Sequence, residues 1–169
     1  MALVRDPLDP DAYWILETTL YRAGRFADAE ALYRKLVELA PDYGWPHGYL
    51  AKVLLAQGKP AAALAMAQQE SDEANRLDIL PIALQAAGHQ PEADAALNTL
   101  DSKFGDTDAF CIAMNYAYRN NRNLALQWLE RAYKQKDGGF VEIIGEPLFR
   151  NLASDPRFKA FLRKMNLPE

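Results

Sequence analysis

The chain has 169 residues, half of them hydrophobic and a quarter charged, with a formal net charge of −4. That is room for one domain with a sizeable core, in an ordinary globular composition. The single cysteine, Cys111, excludes an internal disulfide and a multi-cysteine metal site, and the longest apolar stretches, such as residues 61–67, are far too short to span a bilayer.

The first seven residues, from Met1 to Pro7, lack the basic flank and long apolar segment of a signal peptide. No membrane contact and a cytoplasmic location are therefore expected. Asp9-Pro10 reads as an N-cap followed by proline in the first turn, so a helix should run from there to about Arg22. Gly24 then supplies a left-handed turn residue. The partner helix, about 26–40, carries Ala29, Leu32, Tyr33, Leu36 and Val37 at helical spacing and stops at Pro41.

A second pair covers about 45–57 and 60–69. Its second helix is weak, with Ala67 where Tyr33 stood and Glu70 where Leu36 stood. A truncated helix ending near Glu70 is expected, with Ser71 or Asp72 capping the next. The third pair, about 72–87 and 91–104, places Pro81 well inside its first helix, which predicts a kink or a late start. The fourth covers about 107–119 and 123–136, with Asn120 at the turn. Cys111, between Phe110 and Ile112 on an apolar helix, is expected as a buried structural thiol. After Gly138-Gly139 the run Phe140-Val141-Glu142-Ile143-Ile144 is expected to be extended. Glu146-Pro147 and Asp155-Pro156 should each open a short helix with an apolar face, closing the fold as a cap.

One residue skeleton recurs in these four pairs with identical internal spacing: Tyr13, Leu16, Gly24, Ala29; His47, Leu50, Gly58, Ala63; Leu77, Leu80, Gly88, Ala93; Ala109, Ile112, Asn120, Ala125. Each set is a helix–turn–helix unit that hides its apolar face only by stacking on a neighbour. The expected architecture is all-α: a right-handed stack of four degenerate hairpins (about 10–41, 44–70, 72–104 and 106–137) with a helical cap at 138–169, in one domain over residues 1–169.

This skeleton, with Gly24-x-Phe26-x-x-Ala29 and the closing Pro41, resembles the tetratricopeptide repeat family, whose period is about 34 residues. The departures are Glu17 and Pro81, where the family prefers a small residue, and the aromatic missing from the second unit. Trp128-Leu129-Glu130-Arg131-Ala132-Tyr133, then Glu146-Pro147-Leu148-Phe149 and Asp155-Pro156-Arg157-Phe158, resembles the end of bacterial regulators. In those, a repeat domain follows a winged-helix or class III nucleotide cyclase domain. The resemblance implies an interaction domain, or else a regulatory or sensor domain acting by self-association or ligand sensing.

No motif carries chemistry. His47 and His89 are 42 residues apart and lack metal-ligand spacing. There is no phosphate-cradling glycine loop, nucleophile elbow or His-Glu-x-x-His pair. No catalytic residue, metal or cofactor is expected. Charge is uneven: residues 119–164 hold 10 basic and 5 acidic side chains, while residues 1–118 hold 9 and 17. The basic part reads as a solvated face or as a docking surface for an acidic partner. Nucleic-acid recognition by repeats needs polar and basic side chains along the groove, whereas the groove-side helices offer mainly acidic and apolar residues and the basic charge gathers at the cap end, so no nucleic-acid partner is expected.

The function expected is therefore non-catalytic binding of a peptide or protein in a concave groove, with a homodimer possible. In the family the first helix of each repeat lines that groove. The corresponding candidates are Trp14, Thr18, Tyr21 and Arg22, then Lys52 and Leu55, then Asp78, Ile82 and Gln85, then Phe110, Met114 and Tyr118, with Trp14, Tyr21 and Arg22 as the leading anchors. The basic face around Arg131, Lys134 and Lys159 is the second choice. The lysines and asparagines with which some members of the family clamp a chaperone's terminal carboxylate are missing.

Overall fold

The computed structural model describes residues 10–41 and 45–168, with the side chains of residues 10–14 and 17 excepted. Its helices are α1 (Pro10–Arg22), α2 (Phe26–Leu39), α3 (Pro46–Ala56), α4 (Pro60–Gln69), α5 (Glu73–Ala86), α6 (Gln90–Phe104), α7 (Ala109–Tyr118), α8 (Arg122–Gln135) and α9 (Pro156–Lys164). Two 3-10 segments, Gly138–Glu142 and Pro147–Leu152, lie between α8 and α9. No strand occurs among the described residues. The fold is all-α, a tetratricopeptide-like arrangement of helices in consecutive pairs. It forms two compact units, residues 1–93 and 94–169.

The four turn residues do what their spacing predicts. Gly24, Gly58, Gly88 and Asn120 have φ of 74°, 72°, 86° and 58°. At each turn the next amide reaches back five residues: Arg25 to Leu20, Lys59 to Leu54 and His89 to Leu84, each at 2.9 Å, and Asn121 to Tyr116 at 2.9 Å. This is the left-handed closure that satisfies the last helical carbonyls and reverses the chain. The four skeleton alanines, Ala29, Ala63, Ala93 and Ala125, are fully buried, because only a methyl group leaves room for a paired helix to approach.

In the first unit α1 packs on α2, α2 on α3, α3 on α4 and α4 on α5, and α3 also meets α5. Tyr33 stacks on Tyr49 of α3 with centroids 5.7 Å apart and rings nearly parallel, so it fills the space toward the next pair. Glu30 of α2 ties two hairpins together: it accepts from Gln57 Nε2 and Lys59 Nζ, each at 2.8 Å, and pairs with Arg34. Trp45 precedes α3 with φ of 70°, and its indole Nε1 donates to the Asn75 carbonyl at 3.0 Å. Gly48 makes room for that indole, since a Cβ there would fall 2.0 Å from Nε1. Helix α4 ends at Gln69, and Asp72 caps α5 by accepting from Asn75 N. Pro81 sits inside α5, which starts at Glu73 and continues to Ala86, so there is no late start. Leu16, an apolar position of the first skeleton, remains 37% exposed.

In the second unit α7 packs on α8 and on both 3-10 segments. Residues 140–142, expected to be extended, belong instead to a 3-10 turn that Asp137 opens by accepting from Gly139 N. The same carboxylate accepts from Phe110 N at 2.9 Å, which holds the segment against the start of α7. Cys111, expected to be buried, is half-buried.

The closing segment packs through rings. Phe149 meets Phe110 edge-on at 5.3 Å and Phe158 at 6.0 Å; Phe161 meets Phe140 and Tyr133. Its polar links share one register: Asn151 Nδ2 donates to Ala117 O, Arg157 Nη1 to Asn123 Oδ1 and Lys164 Nζ to Glu130 Oε2, each pair 34 residues apart. Pro147–Leu152 and α9 thus stand to α7 and α8 as one further, degenerate hairpin.

Candidate partner-binding surfaces

The first-helix face differs from its expected exposure. In the first unit Tyr21 is 4% exposed, Lys52 1% and Asp78 6%, and Thr18 and Ile82 are buried with them. The cause is packing between tyrosines: the Lys52 ammonium lies 5.7 Å from the Tyr21 ring centre and 5.2 Å from that of Tyr49, and Tyr21 also meets Phe26. A lysine stem laid across aromatic faces contributes apolar packing as well as a cation–π contact. Tyr21 and Lys52 are therefore parts of the core and not exposed anchors, and the candidates Thr18 and Asp78 are buried as well. Arg22 is exposed, while Leu55 and Gln85 are half-buried. The side chain of Trp14 lies outside the described residues.

In the second unit Phe110 and Met114 are buried and Tyr118 is half-buried, where burial raises its phenol pKa. Of the second-choice basic face, Arg131 is committed elsewhere: it pairs with Asp106 at 2.6 Å and lies over the Trp128 ring. Lys159 is half-buried. Lys134 lines an open hollow.

That hollow, about 580 Å³, lies between α8 and α9 and is lined by Asn123, Leu126, Gln127, Glu130, Lys134, Arg157 and Phe161. Its register comes from the 34-residue offset, which sets Arg157 beside Asn123 and Lys164 beside Glu130, with Nζ–Oε2 of 2.6 Å. Leu126 and Phe161 give it an apolar floor. Arg157 is held by Asp155, which caps α9 and accepts from the backbone and guanidinium of Arg157. The Arg157 hydrogen bonds, with the nearby Arg122 charge adding to them, hold the Asp155 carboxyl at a pKa of about 2. A second hollow of about 490 Å³ shares Asn123 and Arg157 and adds Arg119, Asn120, Asn121 and Arg122.

Sequence reasoning missed Leu126, Glu130 and Arg157 as residues of this surface, while Phe161, on the apolar face expected of α9, is buried with only its edge at the hollow. The readable signal was the excess of basic residues in 119–164; the missing knowledge was that α9 sits one period beyond α8. Among the described residues no group of three His, Cys, Asp or Glu side chains could hold a metal ion, and no helix is long and apolar enough to cross a membrane.

Residues 20–78 match the family model of the tetratricopeptide repeat. That stretch runs from the end of α1 to the middle of α5, the hairpins joined through Tyr33, Tyr49 and Glu30. It does not reach the C-terminal motifs that resemble winged-helix and cyclase regulators. No curated protein matches the chain.

Proposed function

We propose that the chain is a non-catalytic interaction module that holds a peptide or protein partner. The observation that carries this reading is the helical hairpin that recurs along the chain, matched over residues 20–78 to the tetratricopeptide repeat, a fold that generally mediates protein–protein interaction. The binding surface is the hollow between α8 and α9. It combines an apolar floor with the Arg157 guanidinium, and aromatic and arginine side chains are the usual anchors for partners. The first-helix face of the first unit offers less, since Tyr21, Lys52 and Asp78 are buried there.

The test is selection of 12-residue peptides from a random display library on the immobilised full chain, followed by affinity measurement on the recovered sequences. A related family of peptides binding with micromolar constants is expected, weakened by Lys134→Glu and unaffected by Arg22→Glu. Failure to enrich any sequence above an unrelated helical control refutes the module. Loss through Arg22→Glu alone moves the surface to the first helices.

A further inference from the structure

We infer that the hollow between α8 and α9 takes an acidic segment of another protein that carries one large apolar side chain. This deepens the interaction-module reading and rests on it. The motivation is the balance of charge around an apolar floor. Lys134 and Arg157 line the hollow, Arg119 and Arg122 line its continuation, and Lys164 reaches in to Glu130. Against these stand three carboxylates, each engaged: Glu130, which lines the hollow, with Lys164, and outside the lining Asp155 with Arg157 and Asp94 with Arg119. Lys134 is exposed and makes no ion pair among the described residues. The surface therefore keeps an excess of positive charge in a protein whose net charge is −4.

Charge complementarity selects the partner. A basic segment would be repelled by Lys134 and Arg122. A continuous polyanion such as single-stranded nucleic acid would bring its phosphates against Glu130 in the wall and would leave Leu126 without an aliphatic contact. An acidic peptide can alternate, placing carboxylates against Lys134, Arg122 and Arg157 and one leucine or phenylalanine on the floor. Arginine adds geometry to this choice, because its planar fork pairs with a carboxylate through two parallel hydrogen bonds. The volumes, about 580 and 490 Å³, fall in the range of pockets that enclose small ligands or a few side chains.

The experiment uses fluorescein-labelled 12-residue peptides with the intact chain and reads anisotropy. One probe is rich in Asp and Glu with a central leucine, a second replaces that leucine with serine, and a third is a single-stranded 12-mer oligonucleotide. Saturable binding is expected for the leucine peptide, weakened about tenfold by Lys134→Glu and about as much by the serine replacement, and reduced by raising salt from 50 to 300 mM. Lys35→Glu, an exposed basic site on α2, should leave it unchanged. Circular dichroism of each variant checks that it is folded. Equal binding of the serine peptide or of the oligonucleotide overturns the inference in favour of a general polyanion surface, and indifference to Lys134→Glu overturns the site. Concentration-dependent self-association abolished by Lys134→Glu, read by light scattering, would make the occupant a second copy of the chain and also overturn it. If library selection yields peptides that are not acidic, this inference fails while the interaction module stands.

Discussion

Replacing Phe149 with alanine tests whether the last hairpin is a packed part of the second unit. Its ring is 2% exposed and is held between Phe110 of α7 and Phe158 of α9. Truncation of a buried phenylalanine costs about 3–5 kcal/mol through lost transfer energy and the cavity left behind. Phe110 also meets Phe140, and the Cα of Gly139 lies against it, since a Cβ there would fall 2.4 Å from the ring. With neighbours so closely placed, little collapse into the cavity is possible, which puts the loss toward the upper end. For a chain of this size each kcal/mol lowers the melting temperature by about 2–4 °C, so a drop of roughly 6–20 °C is expected. Urea unfolding should show the loss as a shifted midpoint with an unchanged slope. The cycle of Phe110→Ala, Phe149→Ala and the double variant should return a coupling of about 0.5–1.5 kcal/mol for the edge-on ring pair. Val141→Ala, at a site 72% exposed, should fall within about 0.5 kcal/mol of the parent. A loss below about 1 kcal/mol for Phe149→Ala would mean that the closing segment only lies against α7.

At the fourth turn, Asn120→Gly should be neutral or slightly stabilising and Asn120→Ala should cost about 1–2 kcal/mol, because φ there is 58° and a Cβ opposes that conformation; equal melting temperatures for the two variants would refute this. In the first unit the Glu30 carboxyl is held at a pKa of about 2, chiefly by the hydrogen bond from Lys59 and also by Arg34 and Gln57. A depressed carboxylate pKa contributes stability that is present above its ordinary value near 4.5 and is lost as pH falls toward 2. The stability gap between the parent and Glu30→Gln, followed by urea unfolding, should therefore close over that window; a constant gap would contradict it.

The hairpins were legible in the sequence because their constraint is local. A left-handed turn residue and a small alanine five positions later are demanded by backbone geometry and by helix approach, whatever the rest of the chain does. The short α4 was legible from Ala67 and Glu70 standing where Tyr33 and Leu36 stood, and of the two caps expected for α5, Ser71 or Asp72, it is Asp72 that accepts from Asn75 N. The proposed binding surface was less legible, because burial is decided by neighbours distant in sequence. Lys52 and Asp78 look like groove polars from their helix positions, yet Lys52 lies over Tyr21 and Tyr49, which come from two different helices. The 140–142 segment was misread as extended because its apolar run obscured the Asp137 cap that folds it into a 3-10 turn.

The last hairpin departs from the repeat skeleton for a physical reason. Advancing the fourth skeleton by 34 residues gives Ile143, Glu146, Ser154 and Lys159, with no alanine or glycine among them. The partner of α9 in this hairpin is a six-residue 3-10 segment and not a full helix, so close helix approach is not required and Lys159 is tolerated where Ala125 stood. Register is kept by polar links at Asn151, Arg157 and Lys164. Arg150 and Arg163 of this hairpin are exposed and read as solubilising charges. That role does not explain Lys134 and Arg122, which belong to the preceding helix and line the hollow and its continuation. Neutralising Arg150 and Arg163 should therefore lower solubility without changing peptide affinity, whereas Lys134→Glu should lower affinity and leave solubility alone. If the two pairs of effects prove interchangeable, the basic charge is a property of the chain's end and the hollow has no partner.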